Sequence, residues 1–321
     1  MERYTVHLDL NWTLDGAHEL FWRNNSHRPV LFPRIGIRLP GFTIGPKRLT
    51  APALGFHELP KVDLVLLSHA HFDHLDLRTL RCFDRATSVI TARATSDLLK
   101  GTRFFDVTEL EWGQSRSFSN AAGEIEIAAF PVKHWGARTQ RDTYRGYNGY
   151  LIERRGHRII FAGDTAMTEN FTELRRNGTI DVAIMSIGAY NPWIQSHCTP
   201  EQAVEMANAA GARFIVPVHH QTFRLSLEPF REPIERFEAA LSKTPERIAL
   251  REIGQTFVLP PACLAVALAK AGEPRAAHRR SGQNPTASCR SNACTAKRLQ
   301  HAACVQAPAD AMFCQLSADV A

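Results

Sequence analysis

The chain has 321 residues, of which 44% are hydrophobic, and a formal net charge of +6 at pH 7. This is enough apolar material for one large domain or two small ones. No apolar run approaches the roughly 18 residues that a membrane-spanning helix needs. The start of the chain lacks the apolar core of a signal peptide, so we expect a cytoplasmic protein, with peripheral membrane contact left open.

Most of the positive charge falls in residues 261–321, which also hold five of the seven cysteines. This segment contains no Ile, Tyr or Trp, and its composition predicts a disordered tail. The rest of the chain shows no clustered basic stripe, which argues against a nucleic-acid binder. The cysteine spacing fits no disulfide framework and is typical of a reducing compartment.

The first strong signal in chain order is an apolar run at 62–67, which predicts a buried strand. His69, His71, Asp73 and His74 follow it directly. Imidazole and carboxylate ligands suit zinc and other borderline divalent ions. His69 and His71 can share one ion, while Asp73 and His74 can reach a second. The alternative is a surface turn in which Asp73 or Asp76 caps a helix, but a cap leaves three histidines unexplained.

Further strands and helices alternate along the chain. Apolar runs predict strands at 88–92, 124–132, 149–153, 157–162, 181–187 and 213–218, with a hairpin around Gly156. One helix is predicted at 200–210, where Thr199 and Gln202 form a capping box, and a second at 229–241. Such a mixture predicts an α/β fold with layered helices and sheets.

Three of these strands end in further candidate ligands. His134 follows 124–132, Asp164 follows 157–162, and His219 and His220 follow 213–218. A single histidine after a strand is more often a cap or a core residue. Four strands that each end in a metal-type ligand predict a site built on the loops at one edge of a sheet.

These motifs resemble those of the metallo-β-lactamase fold superfamily: the His-x-His-x-Asp-His cluster, a later His, a Gly-Asp-Thr string with Asp164, and a final His. Strings at 45–48, 59–63, 134–138, 187–190 and 219–223 resemble the N-acyl-phosphatidylethanolamine phospholipase D-like branch. The resemblance implies a four-layer αββα sandwich at 45–260, between an atypical segment at 1–44 and the tail at 261–321. Residues 1–44 lack the Asp-Pro pair typical of the family, which predicts missing or altered first strands.

The resemblance also implies a centre with two metal ions. His69, His71 and His134 would bind the first ion, Asp73, His74 and His219 the second, and Asp164 would bridge them. His220 is the competitor for the place of His219. Zinc is the usual occupant, and iron or manganese are tolerated. The redox di-iron branches carry a carboxylate where His71 stands, so His71 favours hydrolysis.

The implied activity is that of a zinc-dependent hydrolase, most plainly a phosphodiesterase acting on a small-molecule or phospholipid-like substrate. Asp73 would orient the nucleophile, and His197 would donate a hydrogen bond or proton to the leaving group or else cap the helix at 200–210. Arg138, Arg141 and Arg145 would bind phosphate or lie in a solvated loop. The segment 35–42 would line a lipid groove, form an edge strand or cover the core.

Two alternatives stay open at this stage. One is a lactonase or other carbonyl-ester hydrolase of the same fold. The other belongs to a different class: a metal-binding protein whose altered N-terminus has left it catalytically impaired.

Overall fold

Two β-sheets form the centre of the fold in the computed structural model, which describes residues 30–59, 61–120, 123–252 and 254–259 and the backbone of three N-terminal strands. The strands are β1 (Tyr4–Thr5), β2 (Asn11–Trp12), β3 (Phe21–Arg23), β4 (Ile37–Leu39), β5 (Phe42–Ile44), β6 (Leu64–Leu67), β7 (Ser88–Ala92), β8 (Val107–Leu110), β9 (Ser115–Asn120), β10 (Gly123–Phe130), β11 (Gly149–Arg154), β12 (His157–Phe161), β13 (Ile180–Ser186), β14 (Ala212–Val218) and β15 (Thr256–Leu259).

The helices are short. They are α1 (Leu77–Leu80), α2 (Phe171–Leu174), α3 (Pro200–Ala209) and α4 (Glu232–Ala240), with 3-10 turns at Phe56–Glu58, Ser96–Gly101 and Pro245–Arg247. None of the helices in the described part of the chain has the length and apolar character needed to cross a membrane.

One central sheet has the order β2-β6-β7-β8, with β6, β7 and β8 parallel and β2 antiparallel to β6. The other has the order β14-β13-β12-β11-β10-β9, antiparallel from β9 to β12 and parallel from β12 to β14. The turn from β11 to β12 places Arg155 and Gly156 at φ values of 48° and 80°. Positive φ at both central residues is typical of a two-residue hairpin turn.

The two sheets pack face to face. The core between them contains Leu64, Leu66 and Ile90 of the first sheet and Ile127 and Ile152 of the second. Because side chains alternate along a strand, the opposite faces need their own cover. Met206 of α3 and Phe237 of α4 cover the second sheet at Met185 and Ile215, and Leu80 of α1 and Leu99 cover the first at Val65. The predicted four-layer αββα sandwich is confirmed.

Two smaller sheets complete the described structure. β15 lies between β1 and β3, and β4 pairs with β5 as an isolated hairpin. The hairpin occupies most of the segment 35–42, and its strands are exposed. Of this segment, Ile35 is buried against Val30 and Phe223, so only the start of the segment covers apolar residues. The predicted tail at 261–321 and most of the segment 1–29 lie outside the described residues.

All seven predicted strands are present, with ends shifted by at most two residues. α3 begins at Pro200 as predicted and ends at Ala209, one residue earlier than predicted, with the Thr199–Gln202 capping box in place. α4 begins at Glu232, three residues later than predicted, because residues 224–231 form an irregular turn beside a cavity. Sequence analysis missed β9, since its side chains, Ser-Arg-Ser-Phe-Ser-Asn, contain a single apolar residue.

Candidate metal centre

The candidate ligands lie on loops that follow four strands. His69 to His74 follow β6, His134 follows β10, Asp164 follows β12 and His219 follows β14. β6 belongs to one central sheet and the other three strands to the second. The site is therefore assembled between two sheets, and the expectation of a single sheet edge is corrected.

The first cluster consists of His69, His71 and His134. Nδ1 of His71 lies 2.8 Å from Nε2 of His69 and 3.3 Å from Nε2 of His134. Three nitrogens around one ion at bonds of about 2.0–2.1 Å stand about 3.3 Å apart when the geometry is tetrahedral. The separations in this cluster are close to that spacing.

The second cluster consists of Asp73, His74, Asp164 and His219. Oδ2 of Asp73 lies 3.4 Å from Nε2 of His74 and 3.6 Å from Nε2 of His219. Oδ2 of Asp164 lies 2.9 Å from each of the same two nitrogens. Four donor atoms thus converge on a second point.

Asp164 connects the two clusters. Its Oδ2 is 3.9 Å from Nε2 of His69 and 4.0 Å from Nε2 of His134, both members of the first cluster. The side chain is 2% exposed, and its Oδ1 has no hydrogen-bond partner. A buried carboxylate oxygen without a partner is costly, and a cation bound by this carboxylate would lessen that cost.

The electrostatics of the second cluster call for positive charge. Burial alone would lower the pKa of His74, but the carboxylates of Asp164 and Asp73 outweigh it and raise the pKa to about 9. Burial would raise the pKa of Asp164, yet His219 and His74 hold it well below its usual range. The cluster therefore favours an ionised carboxylate with a cationic partner, a role that a metal ion would suit.

The first cluster offers neutral imidazoles. Burial lowers the pKa of His134 to about 3 and that of His71 to about 4. Nδ1 of His134 lies 2.8 Å from the carbonyl oxygen of Ser196. Because a carbonyl only accepts, Nδ1 carries the proton and leaves the lone pair of Nε2 directed at the cluster. This tautomer is the one a metal ligand needs, so the residues present fit a metal ion.

Two of the ligand loops are fastened to each other. Thr165, next to Asp164, accepts a hydrogen bond from the backbone N–H of Lys133 at 3.0 Å, next to His134. The N–H of Ala166 donates to the carbonyl oxygen of Lys133 at 2.7 Å. These two hydrogen bonds, made by residues close to Asp164 and His134 in the chain, hold the two candidate ligands in a fixed relative position.

His219 has an unusual backbone conformation. Its φ is 66°, in the left-handed region that residues with a side chain rarely adopt. Its carbonyl oxygen approaches Gly188 so closely that a Cβ there would lie 2.2 Å away. Gly188 is therefore required for the course of the chain at His219, and such conformations often mark functional positions.

The helix-capping alternative for the first motif is confirmed for Asp76. Asp76 caps α1, since its side chain accepts from the N–H of Thr79 at 3.3 Å. The histidines before it lie in the two clusters, so the cap does not replace the metal interpretation, which stays a prediction.

Two of the three arginines predicted to bind phosphate have partners within the protein. Arg138 donates to the carbonyl oxygens of Ala70 and Leu75 and stacks over the ring of Phe72 at 4.1 Å. Arg145 is buried and pairs with Asp142 and Asp97. These guanidinium groups hold loops in place, while Arg141 is exposed.

His197 lies beside both clusters. Its ring is 5.1 Å from that of His134 and 5.2 Å from that of His219, and it forms a further group with His134 and Asp164. The cap of α3 is Thr199, so the capping alternative for His197 is wrong. His220 is buried and belongs to none of the candidate metal groups in the described residues.

A cavity of about 450 Å³ adjoins the centre at His219. It is lined mainly by apolar side chains, among them Leu49, Phe223, Leu225 and Phe230. On the other side of the centre, the half-exposed ring of Trp135 packs edge-on against His71 at 4.6 Å. Sequence analysis did not single out either feature, because apolar lining residues have no spacing of their own.

An αββα sandwich with buried histidine and aspartate clusters between its strand ends has the architecture of the metal-dependent hydrolases of the metallo-β-lactamase fold. The family model described as "Beta-lactamase superfamily domain" matches residues 39–220. The chain belongs to this family.

Several known proteins are similar to the chain. An uncharacterized protein of Mycobacterium tuberculosis is 32% identical over 225 residues, which make up 67% of this chain and 59% of that protein. The mitochondrial N-acyl-phosphatidylethanolamine-hydrolyzing phospholipase D of Saccharomyces cerevisiae is 32% identical over 226 residues, or 67% of this chain and 48% of that enzyme. The chain therefore spans only about half to three-fifths of the length of these relatives.

A solved structure, a possible metal-dependent hydrolase from Veillonella parvula, aligns with a TM-score of 0.56 at 18% identity. The alignment covers 80% of this chain and 99% of that one. At this identity the likeness concerns the fold.

Proposed function

We propose that the chain is a zinc-dependent phosphodiesterase with a binuclear centre. The observation that carries the proposal is the convergence of seven ligand side chains on two points joined by Oδ2 of Asp164. The first site would comprise His69, His71 and His134, the second Asp73, His74 and His219, and Asp164 would bridge them. Imidazole and carboxylate donors suit zinc, and iron or manganese would fit the same set.

Two cations bound there would lower the pKa of a shared water towards 7 and stabilise charge on the reacting phosphoryl oxygen. Asp73, at 13% side-chain exposure, stands at the open side of the second cluster and would orient the attacking water through its second oxygen. His197 would donate a hydrogen bond to the leaving oxygen. The cavity at Phe223 and Phe230 would take an apolar group of the substrate.

The choice of a phosphodiester over a lactone rests on similarity. The yeast relative is named for hydrolysis of a phospholipid, and the strings at 134–138 and 219–223 resemble its branch. A lactonase of the same centre is the rival, and a metal-binding protein without turnover is the alternative of another class.

The test is metal content per chain of the purified protein, combined with hydrolysis of bis(p-nitrophenyl) phosphate and of a lactone. Asp164→Ala should lose most of the bound metal and the activity. Asp181→Ala is the matched control, because Asp181 is also buried but pairs with His157 and Arg213 outside the clusters. About two zinc ions with phosphodiester turnover supports the proposal. Lactone turnover alone would replace it with the lactonase, and two zinc ions without turnover on either ester would favour the impaired protein.

A further inference from the structure

The hairpin of β4 and β5 carries an apolar face that points to solvent. Its register pairs Ile37 with Ile44 and Leu39 with Phe42, so these four side chains share one face. Their exposed fractions are 56%, 54%, 38% and 59%, respectively. We call this set the apolar hairpin face. Isolated apolar side chains are common on protein surfaces, but a contiguous group of four large ones marks a place that a partner covers.

The other face of the hairpin is fastened to the body of the protein. Thr43 accepts a hydrogen bond at 3.3 Å from Nη1 of Arg78, and Nη2 of Arg78 donates to the carbonyl oxygen of Arg34. Thr43 pairs with Arg38. The hairpin is therefore held with its apolar face outward and its polar face inward.

The surroundings of the apolar hairpin face are positively charged. Residues 30–57 contain Arg34, Arg38, Lys47 and Arg48 and neither Asp nor Glu. Arg34, Arg38 and Lys47 are exposed, and Arg38 shares a cleft with Arg78 and Arg81 next to Phe42. An apolar face rimmed by cations complements a surface that is negatively charged outside and apolar beneath, which is the profile of an anionic lipid layer.

The charge pattern disfavours a second copy of the chain as the occupant. A two-fold dimer through this face would bring the same patch of each copy together. The cations at 34, 38 and 47 would then face their own equivalents, and like charges brought together at an interface are unfavourable.

We propose that the apolar hairpin face docks the chain on anionic lipid surfaces. The segment after the hairpin is hydrogen-bonded to the loop that follows His219, so the docking surface is linked to a loop that carries a candidate ligand. The N–H of Leu49 donates to the carbonyl oxygen of Thr222 at 2.8 Å, and Thr50 Oγ1 donates to that of Gln221 at 2.6 Å. This inference goes beyond the proposed function, since lipid binding does not depend on the reaction.

The experiment is co-sedimentation of the full chain with phosphatidylcholine vesicles, with and without phosphatidylglycerol. The wild-type protein should bind only the anionic vesicles. Phe42→Ser combined with Ile44→Ser should weaken binding at least about tenfold, because two apolar side chains can no longer insert. Phe105→Ser is the control, since Phe105 is 70% exposed outside the hairpin and should leave binding unchanged.

A charge variant tests the contribution of the cations around the apolar hairpin face. Arg38→Ser with Lys47→Ser should weaken binding to anionic vesicles by about fivefold per cation, and Lys100→Ser, an exposed lysine elsewhere, should not. If circular dichroism shows that Phe42→Ser with Ile44→Ser does not fold, this charge variant still tests whether the chain binds anionic lipid through the hairpin.

Three results would overturn the proposal. The first is that the wild-type protein does not bind anionic vesicles. The second is that both double variants bind them as the wild-type protein does. The third is that the wild-type protein is a dimer that binds no vesicles and that Phe42→Ser with Ile44→Ser converts to a monomer. Hydrolysis of soluble bis(p-nitrophenyl) phosphate is measured on the same samples. Vesicle binding without turnover would count against the proposed function alone.

Discussion

Nη1 of Arg138 donates a hydrogen bond of 2.7 Å to the carbonyl oxygen of Leu75, 63 positions earlier in the chain. The same nitrogen donates at 3.0 Å to the carbonyl oxygen of Ala70. These two carbonyls lie near the two ends of the loop that carries His71, Asp73 and His74. A single guanidinium therefore ties down the loop that would supply ligands to both metal ions.

Arg138→Met should weaken metal binding about 10- to 100-fold, because groups that orient metal ligands have effects of that size. The measurement is a chelator-competition titration of the purified protein. Arg141→Met, which removes an exposed arginine from the same loop, should bind metal as the wild-type protein does. Equal affinities for the two variants would show that the loop keeps its shape without Arg138.

Gly188→Ala should disturb His219, because the added Cβ would lie 2.2 Å from the carbonyl oxygen of His219. The backbone must move to relieve this contact, and we expect loss of about one bound ion together with a loss of stability of about 1–3 kcal/mol. Gly55→Ala is the control, since its Cβ would meet only the end of the Glu58 side chain, at 3.3 Å. Metal content by mass spectrometry and urea unfolding provide the readout; full metal content in Gly188→Ala would contradict the expectation.

Parallel substitutions of His219 and His220 test which of the two histidines binds metal. His219→Asn should reduce the bound metal by about one ion, because Nε2 of His219 lies 2.9 Å from Oδ2 of Asp164. His220→Asn should keep the metal content and alter only stability, since His220 belongs to neither cluster. Metal loss in His220→Asn with retention in His219→Asn would reverse the assignment.

The Asp142–Arg145 pair predicts a pH-dependent contribution to stability. Burial alone would raise the pKa of Asp142, but hydrogen bonds from Arg145 and Thr139 lower it to about 2. A folded pKa below the unfolded value of about 3.9 means that the contribution is present above pH 4 and is lost as the pH falls towards 2. Asp142→Asn should therefore cost about 1–2 kcal/mol at pH 7 and progressively less below pH 4.

Urea unfolding between pH 2.5 and pH 7 measures this difference. Asp97→Asn serves as the comparison, because Asp97 binds the same arginine with a half-exposed side chain and should contribute less. A difference between wild type and Asp142→Asn that stays constant over this range would rule out the linkage.

The local parts of the structure follow from the sequence because their signals are local. Thr199, Pro200 and Gln202 fix the start of α3 through bonds within one turn. The apolar runs of β6, β7 and β13 mark buried strands, and the His-x-His-x-Asp-His string brings four ligand side chains together by spacing alone. Each of the residues His134, Asp164 and His219 follows a predicted strand, and this position identified them as candidate metal ligands.

Only the tertiary structure decided how these pieces combine. The resemblance implied two sheets, but only the tertiary structure assigned each strand to its sheet and placed the candidate ligands between the two. It also gave Arg138 and Arg145 structural roles, because their partners at Ala70, Leu75 and Asp97 are remote in the chain. Strand β9, with its polar side chains, and the outward face of the β4–β5 hairpin depend on pairing and burial. These are properties of contacts between distant segments, so no local pattern carries them.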